Sequence, residues 1–330
     1  MLYTHIKKVQ FDLNVTCNAY CPGCHRYKVV NGEMWLNPYL EFNTNLSLDA
    51  IERVFKNSRL SSNVWVDMVG LVGEPIAHPK FLDIIDIIHK HRPNARINIH
   101  TNGGLRSTAF FVELAGKLHT TNSVVRFSID GLQDTNDIYR IGVNWDKAIA
   151  NLTAFVNAGG NAVWKMIEFP WNQHQSADAE KYAMSLGVGY FELEQNRSQG
   201  GDETDIFMNA AQRKIHKKTP APKGITPYGD KSYALTYDSF NEINQRCFDN
   251  EEIYINAHGK VLPCCMMNAG LTDEGYMDSV TKFLYEEDDS WNDLNNYTME
   301  SILSNKWWSK LKDSFTTEPC SVCVHSCDKR

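Results

Sequence analysis

"VQFDLNVTCNAYCPGC" runs from Val9 to Cys24. Its first half alternates apolar and polar residues, the period of a half-buried strand, over Val9 to Asn14. Its second half is a loop with cysteines at 17, 21 and 24. Three thiols in one short loop point inward together when they share a metal ion or cluster, and thiolates are soft ligands suited to zinc or iron–sulfur centres. A structural zinc site takes four ligands. His25 adjoins Cys24, but adjacent residues chelate one tetrahedral ion poorly. The alternative is a cube-type cluster with three irons held by protein and one left open.

Outward from that loop, the chain settles into a repeating pattern. Strand-like segments cover 63–70, 95–101, 123–130, 161–169 and 189–195. Helical segments intervene, from Ser47, over 80–91, 107–118, 145–159 and 177–186. Tyr27 to Asn45 reads as a polar, aromatic-rich connection. Six strands alternating with helices imply a parallel α/β sheet, closed into a barrel or doubly wound, with its chemistry at the C-terminal ends of the strands. The residues there are the three cysteines, Gly73-Glu74-Pro75, Thr101-Asn102-Gly103, Ser128 with Asp130, Glu168, and Glu194 with Arg197. Lys165 and Glu168 point to opposite faces of a regular strand.

Beyond Gln199 the pattern breaks. Residues 200–240 read as a linker, and "QRKIHKKTPAPK" (Gln212 to Lys223) as a solvated basic stretch within it. Glu251 to Cys265 resembles a hairpin turning near "AHGK". Met299 to Leu311 reads as one helix. The nine cysteines fall at 17, 21, 24, 247, 264, 265, 320, 323 and 327. Clustered thiols in a chain without a secretory signal point to metal ligands rather than disulfides.

With 330 residues, 42% hydrophobic and 22% charged, the composition is that of an ordinary globular protein. A net charge of −7 argues against a broad nucleic-acid surface. No apolar run is long enough to cross a membrane, so a cytoplasmic location is expected.

C-x3-C-x2-C after a first strand, then "GEP" after the second, "HTNG" after the third and "SIDG" after the fourth, resembles the radical S-adenosylmethionine (radical SAM) superfamily. The resemblance covers the chain to about Gln199. It implies a (β/α)6 partial TIM barrel over 1–199, with Cys17, Cys21 and Cys24 holding a [4Fe–4S] cluster whose open iron binds S-adenosylmethionine. One electron from the cluster then gives a 5′-deoxyadenosyl radical that abstracts a substrate hydrogen. Gly73, Glu74 and Pro75 match the motif that receives the methionyl amine. Thr101, Asn102, Ser128 and Asp130 match strand ends near the cofactor's methionyl and ribose portions. Members often carry an aromatic residue before the third cysteine, where this chain has Gly23.

The later cysteines resemble a SPASM/twitch extension over 241–330. By that resemblance Cys247, Cys264, Cys320 and Cys323 close one auxiliary [4Fe–4S] cluster that relays an electron, leaving Cys265 and Cys327 over. By spacing alone a four-cysteine zinc site fits too. The expected activity is oxidation or epimerisation of a small polar metabolite such as an aminosugar, a nucleotide sugar or a related alcohol. Lys165, Glu168 and Arg197 are the candidate substrate or proton-transfer residues, and flavodoxin or ferredoxin the implied electron donor. A peptide-modifying maturase is the second reading. Many of those carry a recognition domain ahead of the barrel, which a first strand near Val9 leaves no room for. A zinc-stapled, non-catalytic binding protein is the third.

Overall fold

The computed structural model describes residues 5–30, 33–119, 121–196, 215–221, 223, 242–273, 275–286 and 288–328. The strands are β1 (Ile6–Phe11), β2 (Tyr27–Val30), β3 (Glu33–Leu36), β4 (Leu60–Met68), β5 (Arg96–Thr101), β6 (Val124–Ser128), β7 (Ala162–Glu168), β8 (Tyr190–Gln195), β9 (Ile215–Pro220), β10 (Glu252–Ile255) and β11 (Val261–Leu262). The helices are α1 (Leu48–Phe55), α2 (Phe81–His91), α3 (Thr108–Leu118), α4 (Asn136–Tyr139), α5 (Trp145–Asn157), α6 (Ser176–Ser185), α7 (Arg246–Asp249), α8 (Cys265–Gly270), α9 (Met277–Tyr285), α10 (Met299–Leu303), α11 (Trp307–Ser314) and α12 (Ser321–Cys327).

One sheet runs β11-β10-β1-β4-β5-β6-β7-β8. Its six expected strands, β1 and β4 to β8, are parallel neighbours. The βα rhythm therefore gives an α/β fold with a parallel sheet that suits a partial barrel. The C-terminal hairpin β10–β11 joins the same sheet, because β10 pairs parallel with β1 through Val9 opposite Ile253 and Phe11 opposite Ile255. The division at residue 241 thus does not interrupt the sheet.

Two faces follow from the period of two. Val9, Phe11, Val66, Met68, Ile97, Ile99, Val125, Phe127, Trp164 and Met166 are all buried. They face the helices, whose apolar stripes include Ile51, Val54, Ile84, Ile88, Leu114 and Leu152. Helix starts are set locally: Ser47, Ser107 and Asn144 accept hydrogen bonds from the backbone N–H groups of Ala50, Phe110 and Lys147. The other face carries Asp67, Asn98, His100, Arg126, Lys165 and Glu192, so it is polar.

Three expectations need correction. Tyr27 to Asn45 is not an irregular connection: β2 and β3 pair antiparallel within it, and β9 adds parallel to β3. Part of the basic stretch is therefore strand rather than linker. Met299 to Leu311 is not one helix. It breaks after Leu303, where the Asn305 side chain accepts from the Trp307 N–H, a local bond that competes with helix continuation. Among the described residues, no helix is long and apolar enough to cross a membrane.

Candidate active site

The three-thiol loop leaves β1 and is pinned from several sides. Arg26, buried, donates to the carbonyls of Val15 and Val72, both at 2.8 Å. Tyr27 Oη donates to the Ala19 carbonyl (3.1 Å), and the Tyr20 N–H to the Ile141 carbonyl (2.8 Å). Polar groups reach the sulfurs themselves. The Ala19 N–H lies 3.3 Å from Cys17 Sγ, Asn102 Nδ2 3.8 Å from Cys17 Sγ, and Arg140 Nη1 3.9 Å from Cys21 Sγ. Burial pushes all three thiols up, Cys21 to about 12 even with the Arg140 cation opposing it. Without a cation to bind they stay protonated; thiolate formation here goes with metal loading.

Glu74 stands beside this loop. Gly73 makes that possible: a Cβ there would lie 2.1 Å from the Asn14 carbonyl oxygen. The Glu74 N–H donates to Thr16 O (2.7 Å), and Asn14 Nδ2 donates to Glu74 O (2.9 Å). Glu74 Oε2 accepts from the Asn102 N–H (2.8 Å), while Oε1 is buried with no hydrogen-bond partner among the described residues, although the Thr101 hydroxyl and the Ile76 backbone also act on the carboxyl. Burial raises its pKa to about 7. A buried carboxylate oxygen without a donor, next to three thiols, suits a ligand that brings a cation or an N–H. Pro75 opens the following turn, Pro75–Ala77, and is buried together with Ile76.

Thr101 Oγ1 accepts from Gly103 N–H, and Asn102 Nδ2 reaches Asn18 Oδ1 at 2.8 Å, tying the end of β5 to the cysteine loop. Ser128 ends β6, in register with Lys165. Asp130 is fully buried; Oδ2 accepts from Arg140 Nε at 2.6 Å and Oδ1 from the Ile167 N–H at 2.7 Å. Both of its oxygens are thus used inside the chain, and its evident work is to hold Arg140. Sequence reasoning missed Arg140. Asp130 and the thiolate form of Cys21 push its pKa further up against desolvation, so it is a fixed buried cation at the loop.

The polar face of the sheet continues from the thiols. Lys165 Nζ lies 2.5 Å from Glu194 and 3.5 Å from Glu192, and Arg126 lies 3.0 Å from Glu192. Asn98 Nδ2 donates to both Asp67 Oδ1 (2.6 Å) and His100 Nε2 (3.0 Å). That assigns the His100 proton to Nδ1. Burial, then the Lys165 and Arg126 cations, depress His100 to about 3, so it is neutral. Glu168 is not part of this set: it accepts from Ser176 Oγ (2.9 Å) and Gln195 Nε2 (2.6 Å) at the edge toward α6. Arg197 lies outside the described residues.

At the other end of the chain, Cys247 is on α7, Cys264 precedes α8, Cys320 caps α12 and Cys323 lies within it. The Cys320, Cys264, Cys247 and Cys327 sulfurs all act electrostatically on Cys323. Cys327 is brought in by backbone pairing, with Ile243 bridging Asp328 and the Asn244 N–H donating to Cys327 O at 2.7 Å. Cys265 feels Glu252, Asp12 and Lys8 electrostatically and itself acts on Cys264. Among the described residues, no three His, Cys, Asp or Glu side chains converge tightly enough to hold a lone metal ion. The thiolates of a four-iron cube bind different irons and stand farther apart than ligands of one ion.

Residues 13–167 match the family model described as the Radical SAM superfamily. Similar solved structures include SuiB of Streptococcus suis bound to S-adenosylmethionine (TM-score 0.53, 15% identity, covering 80% of this chain and 61% of that one). Native anSMEcpe with bound AdoMet gives a TM-score of 0.54 at 13% identity, covering 92% and 82%. Native anSMEcpe with bound AdoMet and Kp18Cys peptide gives 0.53 at 14%, covering 97% and 88%. This chain therefore spans 61% of the SuiB chain's length. No curated protein matches it in sequence. At such identities the structural likeness speaks for the fold; the family match speaks for the segment that holds the three-thiol loop. Residues 13–167, just under half of the chain and including the three-thiol loop and the Gly-Glu-Pro turn, are thus similar to the radical SAM superfamily.

Proposed function

We propose that the protein cleaves S-adenosylmethionine reductively and uses the resulting radical to oxidise or epimerise a small polar metabolite. The observation that carries this is the buried Glu74 Oε1, which has no hydrogen-bond partner among the described residues, beside three thiols of which Cys21 is buried and Cys17 and Cys24 partly so. When bound, a [4Fe–4S] cluster on Cys17, Cys21 and Cys24 would supply one electron for that cleavage. The chain's own groups do the rest. Glu74 Oε1 takes the cofactor's ammonium, held in place by the Asn102 N–H on its other oxygen. Gly73 and Pro75 fix the turn that aims it. Thr101, Asn102 and Ser128 line the adjacent strand ends, and Asp130 orients Arg140 against the loop.

For the substrate, Lys165 is the favoured contact of the residues picked from sequence, since it lies on the polar face with Glu192, Glu194 and neutral His100. That lining suits a ligand with hydroxyl or amine groups. A second reading, peptide modification, is favoured by the solved anSMEcpe structure that holds a peptide and covers most of this chain. The family match over residues 13–167 favours an enzyme over the non-catalytic zinc reading. Cys247, Cys264, Cys320 and Cys323 are proposed to hold one auxiliary [4Fe–4S] cluster that relays an electron, with flavodoxin or ferredoxin as donor.

Protein reconstituted anaerobically with iron and sulfide, then reduced with dithionite, is expected to release 5′-deoxyadenosine from S-adenosylmethionine. Cys21→Ala is expected to lose this completely. Continued release by that variant would show that the loop is not the reducing centre.

A further inference from the structure

Among the described residues, only Asn43, Arg106 and Glu251 carry a side chain on a left-handed backbone, and Arg106 does so at φ +60°. That conformation is strained for an arginine and persists where the surroundings enforce it. What it secures is a three-way grip. The half-buried Arg106 donates through Nε to the Ile76 carbonyl (2.7 Å) and through Nη2 to the His78 carbonyl (2.7 Å), with the Ala77 carbonyl at 3.5 Å. Its Cζ also stands 5.4 Å from the ring centre of Phe110. The three carbonyls close the Pro75–Ala77 turn, which is too short to pair its own last acceptors. His78 is pinned as well. The Lys80 N–H donates to His78 Nδ1 (3.1 Å), so Nε2 carries the proton and donates to Leu46 O (2.9 Å).

The loop that supplies Arg106 also supplies the donor on the Glu74 carboxylate, the Asn102 N–H. The turn is thus held at both ends by one piece of chain, Asn102 at the acid and Arg106 at the closing carbonyls. Ile76 joins the two ends, since its backbone acts on the Glu74 carboxyl while its carbonyl accepts from Arg106. The loop itself is stiff. Buried Asn151 on α5 donates to the carbonyls of Gly103 (2.8 Å) and Leu105 (3.0 Å), and the Gly104 N–H donates to Asn102 Oδ1 (2.8 Å).

We propose that Arg106 is a positioning residue of the cofactor site: by gripping the carbonyl end of the Glu74 turn, it aims the Glu74 carboxylate at the ammonium of S-adenosylmethionine. The inference rests on Glu74 being the receiver of that ammonium. Arg106 acts through Glu74, with the three-residue turn between them. Hydrogen bonds weaken steeply with misalignment, so a turn free to shift spreads Oε1 over positions of which few meet the ligand well. The planar fork of a guanidinium suits several carbonyls at once in a way that a single ammonium does not.

The test is a double-mutant cycle on the reconstituted protein, reading S-adenosylmethionine affinity by equilibrium dialysis beside iron content and the urea transition. Arg106→Gly removes the guanidinium and the backbone strain together, so relief of strain offsets part of the lost bonding. It is expected to keep its iron and a cooperative transition and to bind S-adenosylmethionine about tenfold more weakly. Arg106→Lys, which keeps a cationic donor, is expected to bind within about threefold of wild type. In a Glu74→Gln background, adding Arg106→Gly is expected to change affinity by less than about twofold, because the group it aims is already gone. Unaltered affinity in Arg106→Gly overturns the proposal. So does an equal loss with and without Glu74, or a loss of iron that matches the loss of affinity, since either makes Arg106 a general support of the fold. If wild type carries iron and binds no S-adenosylmethionine, the role given to Glu74 falls first and that of Arg106 with it.

Discussion

Glu74 shows how a single buried group ties stability to ligand binding. Its pKa, 4.5 in the open chain, is raised to about 7 by burial. A carboxyl raised on folding contributes stability that is complete below about pH 4.5 and is lost as pH climbs through about 7. In the metal-free protein, Glu74→Gln keeps the acceptor for the Asn102 N–H and removes the titrating group. The variant is expected to be more stable than wild type at pH 8, by up to about 3 kcal/mol, and close to it at pH 5. Urea denaturation at the two pH values measures this; an equal difference at both would refute it. Asp12, raised to about 6, is present in both proteins and cancels. The three-cysteine loop and the Gly-Glu-Pro run stood out in the sequence because their spacing resembles a family motif, and the structure brings Glu74 beside that loop. Arg140 did not. It follows a strand-end turn, "DGLQDTNDIYR", where an arginine is ordinary, and its importance comes from burial against Asp130 and Cys21.

At the scale of elements, the turn after β4 is the most constrained piece. Gly70 has φ +65°, and Gly73 leaves no room for a side chain against Asn14. Gly73→Ala is expected to displace the turn and cost about 1–3 kcal/mol. Because the turn carries Glu74, it is also expected to weaken S-adenosylmethionine binding by at least about tenfold. Equilibrium dialysis of the reconstituted variant checks the second effect; unaltered affinity would mean the turn tolerates a Cβ. The alternation of strands and helices was readable from hydrophobic period. The β2–β3 hairpin was missed although Asn31-Gly32 between "YKVV" and "EMWL" is a strong hairpin signal, because the aromatic and polar residues around it mask the period. Glu168 closes a strand whose alternation already set it opposite Lys165, and its partners Ser176 and Gln195 depend on how α6 returns, which no local pattern encodes.

At the scale of the molecule, the sheet joins distant parts of the chain. β1 lies between β4 and β10, and Tyr254 on β10 hydrogen-bonds Asp12 at the start of the cysteine loop. Asn268 in turn donates to Tyr254 Oη (3.2 Å). A chain cut after Asn250 would leave β1 as an open edge and Asp12 without its phenol partner. It is expected to be largely insoluble or aggregated, which the soluble fraction and size-exclusion profile would report; a monodisperse monomer would show that the hairpin is dispensable. The extension of this sheet by β10 and β11 was beyond sequence reading, because a short hairpin gives no sign of which edge it will join.

That arrangement also fixes an order of events at the ribosome. β1 is made well before β10, so its second neighbour arrives only after Ile255 has been synthesised. Until then the nascent chain carries an unzipped strand and a loosely seated cysteine loop, exposed to oxygen, stray metals and other chains. Any metal loading of Cys17, Cys21 and Cys24 is therefore expected to follow synthesis of β10 rather than precede it, with the pairing of β10 on β1 acting as the signal that the loop is ready.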